Sequence, residues 1–202
     1  VGWALAIGGV TVALFAPIVG QRTDAGGKRK LWLGINTGIV ILATAAMFFV
    51  EGSPQFFVLG IVLLTIGNVF YEMANVNYNA MLLQVSTPKN MGRISGFGWG
   101  MGYFGGIVVL LIALVGFVLG DPPYWFGVTT ELGMNIRVVA VFGAIWSLIF
   151  SIPILINVPE NVATAKGKKA GIIESYKILF RKIADLYKNS RPTFYFLLAS
   201  AV

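Results

Sequence analysis

The sequence predicts an all-α membrane protein, and two features of its composition lead to that fold class. Of its 202 residues, 57% are hydrophobic and 11% are charged, whereas soluble domains average about 25% charged residues. So few charges could not cover a surface that faces water. The hydrophobic residues are also gathered into long runs, and a helix that crosses a bilayer needs about 20 of them in succession.

Five runs are long enough to cross a bilayer, and a sixth begins near Thr193. They cover residues 1–19, 31–50, 56 to about 83, 94–119 and 138–156. The chain has no initiator Met and both ends lie inside apolar runs, so we expect it to be an internal piece of a larger protein.

The composition also limits the kinds of site and reaction that the chain could support. The chain has no Cys and no His, so it offers no thiol nucleophile, imidazole base or Cys-type metal site. We predict no metal, no cofactor and no enzymatic activity, because intramembrane catalysis would need a nucleophile–base pair or paired carboxylates on facing helices. The net charge of +7 does not indicate nucleic acid, since the basic residues lie in short loops between apolar runs.

Those basic residues define the orientation of the spans. All of them except Arg137 fall in the loops 21–30, 86–93 and 157–192, which the positive-inside rule places in the cytoplasm. The loops 51–55 and 120–137 then lie outside. Residues 121–126 of the second outer loop are either an interfacial aromatic segment or a Pro-stiffened turn with incidental aromatics.

The last cytoplasmic loop contains an amphipathic pattern. Apolar residues recur at intervals of three and four between Ile172 and Tyr187, with Lys177, Arg181, Lys182 and Lys188 around them. This pattern predicts a basic helix that lies along the anionic inner leaflet or against the cytoplasmic ends of the spans. A plain connector helix is the alternative. Residues 158–171, which precede it, have the composition of a linker.

The third run contains the strongest candidates for function. Its polar residues are spaced by 3, 4, 3 and 4 positions, and therefore form one stripe along a helix. An ionised carboxylate at mid-membrane costs roughly 2.5–3.5 kcal/mol even on the mildest scale, so the stripe should face a cavity or the helix bundle. Its members, which we call the polar stripe, are Thr65, Asn68, Glu72, Asn75 and Asn79.

Three roles are open to Glu72 at the centre of the polar stripe. It could bind and release a proton during transport of a solute, remain protonated as a structural hydrogen-bonding group, or pair with a cation on another helix. For Asn68 and Asn75, contact with a solute and hydrogen bonding between helices are equally open.

The fourth run begins with two ladders of glycines spaced four apart. Such ladders let helix backbones approach closely, and we interpret them as helix-packing positions. The alternative is a glycine-hinged gating helix in which Trp99 and Tyr103 line a pathway. The ladders consist of Gly92, Gly96 and Gly100, and of Gly98, Gly102 and Gly106.

The loop between the first two runs is rich in glycine and basic residues. A carboxylate there can meet a helix N-terminus or an arginine on another element, and so hold one conformation. We predict such a conformational latch; an ordinary positive-inside loop, in which Asp24 offsets local charge, is the alternative. The latch residues are Gly20, Asp24, Gly27, Lys28 and Arg29.

Two stretches resemble a known family. The spacing of the latch residues is similar to the signature between the second and third helices of the major facilitator superfamily, although Ala25 stands where that signature usually has a basic residue. Residues 70–82 and 92–106 resemble the vacuole-effluxer-like branch. Its fungal members are autophagy-related vacuolar amino-acid exporters, and it has many bacterial relatives.

The resemblance implies a bundle of twelve helices in two halves of six, of which this chain would hold helices 2–6 and the start of helix 7. Residues 1–157 would then belong to the N-terminal half, which lacks helix 1 here. Residues 158–192 would link the two halves, and residues 193–202 would begin the C-terminal half.

The predicted function is therefore secondary transport by alternating access. The resemblance implies a small, amino-acid-like solute, and the buried carboxylate adds a proton or cation as a possible coupling ion. The other partner is the lipid bilayer, in the plasma membrane of a bacterium or the vacuolar membrane of a fungus. A transporter-like sensor or scaffold without flux is the alternative.

Overall fold

The computed structural model describes residues 2–160 and 171–200, which form seven α-helices. Short 3₁₀ turns lie at Met47–Phe49, Pro54–Phe56, Trp125–Gly127 and Glu131–Gly133, and the described residues contain no strand. The helices are α1 (Gly2–Gly26), α2 (Arg29–Ala46), α3 (Phe57–Val85), α4 (Met91–Phe117), α5 (Met134–Asn157), α6 (Ile172–Asn189) and α7 (Arg191–Ser200).

The first five helices are each long and apolar enough to cross a membrane, which confirms the five predicted spans. Their ends differ from prediction in the cytoplasmic loops. Helix α1 continues to Gly26, so most of the predicted loop 21–30 is helical. Gly27 ends the helix with a φ of +61°, a left-handed conformation that glycine adopts without strain.

Helix α3 lies at the centre of the arrangement. It packs along α2 on one side and against α1 on another, while α2 also contacts α5. The main apolar cluster joins Leu33 of α2 to Ala74 and Met81 of α3, with Ile154 and Val158 at its edge. Most other large apolar side chains are exposed on the bundle, as expected where lipid tails surround a protein.

The outer end of α5 is fastened to α2 through Arg137. Its Nε donates a hydrogen bond to the carbonyl of Phe48, its guanidinium lies 4.7 Å from the centre of the Phe48 ring, and Nη1 lies 3.7 Å from Glu51 Oε1. These contacts explain why one basic residue stands on the outer side. They also place Arg137 inside α5, which begins at Met134 rather than near residue 138.

Two aromatic residues of the outer loop before α5 lie near the end of α4 and differ in their exposure. Trp125 packs on the end of α4, with its ring 6.2 Å from that of Phe117. Phe126 is almost fully exposed. The ring of Phe126 also stacks on that of Phe117, with 6.5 Å between the centroids, and both interpretations of this loop stay predictions.

Candidate functional site

Helix α3 has two opposite faces, and they differ in polarity. The face packed in the bundle carries Met73, Ala74, Asn77 and Met81, which are buried. At about 100° per residue, the centre of the polar stripe lies on the far side of the helix from the centre of this packed face. The structure thus directs the polar stripe away from α2.

The side chains of the polar stripe form few hydrogen bonds among the described residues, and those hydrogen bonds are within α3. Thr65 Oγ1 donates to the carbonyl of Ile61 at 2.8 Å, and Asn79 Nδ2 donates to Asn75 Oδ1 at 3.1 Å. Thr65, Glu72 and Asn75 are half-buried, while Asn68 and Asn79 are exposed. Glu72 forms no hydrogen bond or ion pair with another described residue. Its carboxylate lies near the middle of a 29-residue helix.

Helix α1 borders the outer half of the polar stripe at Gly8. A Cβ on Gly8 would lie 3.6 Å from Thr65 Cγ2 and 3.9 Å from Asn68 Oδ1. The absence of a side chain therefore brings the α1 backbone against the polar stripe. Sequence reasoning did not single out Gly8; the Gly8-Gly9 pair within an apolar run was the available signal.

Helix α4 borders the cytoplasmic end of the polar stripe and encloses a small cavity with α3 and α5. The cavity has a volume of about 200 Å³. Its lining includes Tyr78, Asn79, Ser95 and Trp99, so the structure brings together Asn79 and Trp99, which were predicted from separate runs. We call this space the α3–α4 cavity.

The other predicted aromatic residue of α4 lies outside the α3–α4 cavity. The ring of Tyr103 is 6.1 Å from that of Trp99, and its side chain is exposed. Glu72 is not part of the lining either. The residues predicted to contact a solute therefore form two groups. One group lies at the middle of α3, and the other lies toward the cytoplasmic side, between α3 and α4.

The glycine ladders of α4 are largely open among the described residues. A Cβ on Gly98 would lie 3.1 Å from the Tyr78 hydroxyl. A Cβ on any other ladder glycine would meet nothing within 4 Å; these are Gly92, Gly96, Gly100, Gly102 and Gly106. Within the described part of the chain, the predicted close packing occurs only at Gly98. For the other glycines it stays a prediction.

The contacts of the predicted latch loop differ from those that the sequence suggested. Arg29 Nη1 donates to the carbonyl of Ala80 at 2.9 Å, near the C-terminal end of α3, where the helix dipole favours a cation. This contact joins α2 to α3. Lys28 is exposed, and the side chain of Asp24 lies outside the described residues. Its role as a latch therefore stays a prediction.

Glu160 makes the kind of contact that the sequence suggested for Asp24. Its Oε1 accepts a hydrogen bond of 3.0 Å from the backbone N–H of Lys30. A carboxylate at this position faces the positive end of the α2 dipole. Sequence reasoning missed Glu160 because the residue follows α5 in the chain and approaches α2 only through the fold.

Two buried asparagines were also missed. Asn77 on α3 is 1% exposed and Asn36 on α2 is 3% exposed. Asn77 Nδ2 donates to the carbonyl of Met73 at 2.8 Å, whereas Asn77 Oδ1 and Asn36 Nδ2 have no partner among the described atoms. Both residues lie on the packed faces of their helices, so the contact of α2 with α3 includes buried amides.

Five membrane-length helices, one of them carrying a polar stripe at mid-depth, define a multi-pass α-helical membrane protein of the major facilitator type. The chain belongs to the vacuole effluxer Atg22-like family, whose sequence model matches residues 3–202. The resemblance noted in the sequence is thereby confirmed.

A curated relative supports the same assignment. The chain is 26% identical over 201 residues to a Bacillus subtilis (strain 168) protein described as an uncharacterized MFS-type transporter, YxiO. The alignment covers 98% of this chain and 45% of the relative, so the chain spans about half the length of the curated relative that it matches. No solved structure matches the chain.

Proposed function

We propose that this chain is part of a secondary transporter that moves a small, amino-acid-like solute by alternating access. The observation that carries the proposal is the polar stripe on the face of α3 opposite its packed face, with Glu72 at mid-helix. Solute sites of secondary transporters lie near the bilayer midplane, between the two halves of the protein. Membership of an effluxer-like family supports transport as the activity.

The chemistry of the polar stripe suits an amino acid. The carboxylate of Glu72 complements an α-ammonium group, because charge-assisted hydrogen bonds to an ion are the stronger ones. The side-chain amides of Asn68 and Asn75 can donate to a carboxylate. A solute that carries both groups would therefore lie along α3, with Trp99 and Tyr103 toward the cytoplasmic side.

Glu72 is also the group that we propose for coupling. A carboxylate at mid-membrane that binds a proton in one orientation and releases it in the other would link solute movement to a proton gradient. The described spans contain no His that could take this role instead.

The loop between α1 and α2 is proposed to act as a latch on the cytoplasmic side. Arg29 holds α2 to the end of α3, and Glu160 holds the segment after α5 to the start of α2. Asp24 would then engage an arginine or helix N-terminus of the other half. Residues 158–192 would connect the two halves. We propose the plasma membrane of a bacterium as the location of the protein, which the Bacillus relative supports.

The test is flux in proteoliposomes that contain the full-length protein and a panel of radiolabelled amino acids. We expect Glu72→Gln to abolish accumulation driven by a pH gradient, because the amide cannot release a proton. The matched control is Glu131→Gln, since Glu131 is an exposed acid of the outer loop, and it should leave flux unchanged. Unchanged pH dependence in Glu72→Gln would contradict proton coupling, and solute binding without flux in the unaltered protein would point to a sensor.

A further inference from the structure

Helix α6 is fastened to α1 on the cytoplasmic side of the bundle. Gln21 Nε2 donates a hydrogen bond of 2.8 Å to the carbonyl of Ser175, and the Tyr176 hydroxyl donates to the carbonyl of Leu14. Ser175 is fully buried at this contact, with 0% of its surface exposed. The N-terminal part of α6 therefore has a defined position relative to α1.

The contact with Leu14 relates the position of α6 to the apolar segment of α1. The membrane-length segment of α1 ends at Gln21. Leu14 precedes that end by two turns, which is about 10 Å at about 1.5 Å per residue. The Tyr176 hydroxyl therefore contacts α1 within its apolar segment, so the N-terminal part of α6 lies beside that segment rather than beyond its end.

The apolar face of α6 is only partly covered by the protein. Leu179 and Leu186 are half-buried on the side that continues from Ser175. The rest of the apolar face forms an exposed strip, in which Ile173 and Phe180 are 75% and 66% exposed. We call it the α6 strip, and its members are Ile173, Phe180, Ile183 and Tyr187.

Basic residues border the α6 strip. At about 100° per residue, Lys177 and Lys188 lie directly beside its Ile173 edge, with Arg181 next to them. The acids Glu174 and Asp185 lie beyond these cations, farther from the α6 strip. At the end of the helix, the guanidinium of Arg191 lies 5.5 Å from the centre of the Tyr187 ring. The exposed apolar surface thus has a cationic margin.

We propose that α6 is an interfacial helix that binds anionic phospholipids of the cytoplasmic leaflet. The α6 strip would insert at the boundary between headgroups and acyl chains, where the apolar faces of such helices lie. Lys177, Arg181 and Lys188 would contact the phosphates, because juxtamembrane cations are attracted to an anionic leaflet. The position of α6 beside the apolar segment of α1 and the cationic margin of the α6 strip favour lipid as the occupant over the other half of the protein.

A depth measurement tests where the α6 strip lies. Nitroxide labels would be placed at Phe180→Cys and, as a control on the charged face, at Asp185→Cys in the full-length protein, after replacement of any native Cys outside these 202 residues. In phosphatidylglycerol-containing nanodiscs, the label at 180 should collide more with oxygen than with a water-soluble nickel chelate, and the label at 185 should show the reverse. Shielding of position 180 from both reagents would show that protein covers the α6 strip, and preferential collision with nickel would place it in water. Either result overturns the proposal.

A charge variant tests the lipid class. In the unaltered background, replacing phosphatidylglycerol with phosphatidylcholine should move the label at 180 toward water. The combined variant Lys177→Gln, Arg181→Gln and Lys188→Gln should lose that shift. The matched control is Lys89→Gln with Arg93→Gln, two exposed cations of another cytoplasmic loop, which should retain it. A shift that persists in the triple variant, or is absent from the unaltered protein, overturns the anionic-lipid assignment independently of any result on transport.

Discussion

At the scale of single residues, the contacts of Arg137 contribute unequally to the stability of the fold. A hydrogen bond to a charged donor contributes about 1.5–3 kcal/mol, and here it joins Arg137 to the Phe48 carbonyl within a largely buried contact. An ion pair at 3.7 Å between partly exposed side chains, such as the one with Glu51, contributes about 0–1 kcal/mol. Of the two contacts, the one with Phe48 therefore contributes more than the one with Glu51 to holding the start of α5 against the 3₁₀ turn that follows α2.

We expect Arg137→Gln to lower the melting temperature in detergent by several degrees, because the carbonyl and the ring of Phe48 both lose their cation. Glu51→Gln is the matched comparison, since it removes only the ion pair, and it should change the melting temperature little. The measurement is thermal unfolding of the purified full-length protein. Equal losses in the two variants would show that the ion pair, and not the Phe48 contact, holds α5.

At the scale of elements, α4 contains two kinds of glycine that the sequence alone does not distinguish. Gly116 lies under the ring of Trp125, where a Cβ would be 2.7 Å from the ring carbon Cε3. Gly106, in the predicted packing ladder, has no described neighbour within 4 Å of an added Cβ. Four-residue spacing identified the ladder, whereas the close contact at Gly116 depends on how the outer loop folds back.

Gly116→Ala should therefore destabilise the protein by about 1–3 kcal/mol, the usual cost of forcing an added methyl into a packed site. Gly106→Ala should be neutral or slightly stabilising, because alanine is the better helix former. Thermal unfolding of the two variants checks the difference. An unchanged melting temperature for Gly116→Ala would contradict the packing of Trp125, and a loss at Gly106 would show that the ladder packs against a further helix.

The five membrane-length helices could be predicted because each one contains a long, continuous run of hydrophobic residues. The helix ends were less predictable: α1 continues to Gly26, beyond its apolar run. Helix α5 begins before Arg137, whose partner Phe48 comes from another part of the chain. The polar stripe followed from helical periodicity. Its direction relative to α1 and α2 did not, because periodicity fixes which residues share a face and not which helix covers it. Asn77 was missed for the same reason.

At the scale of the whole molecule, the described helices are joined at both membrane surfaces. Arg137 ties α5 to the outer end of α2, and Arg29 ties the inner end of α2 to α3. A unit fastened at both ends is suited to move as a rigid body, which is how alternating access is largely achieved. We therefore propose that the moving interface is the open face of α3, where the polar stripe lies.

The central claim is that the polar stripe lines the solute pathway, and cysteine accessibility tests it most directly. Single cysteines would replace Asn68, Asn75 and Asn79 on the polar stripe, and Met73 and Asn77 on the packed face, in the full-length protein after replacement of any native Cys outside these 202 residues. A membrane-impermeant maleimide is then applied from each side of sealed vesicles, with and without solute. The account predicts labelling at positions 68, 75 and 79 that solute suppresses, and none at 73 and 77. Labelling of the packed face, or a polar stripe that never reacts from either side, would contradict it.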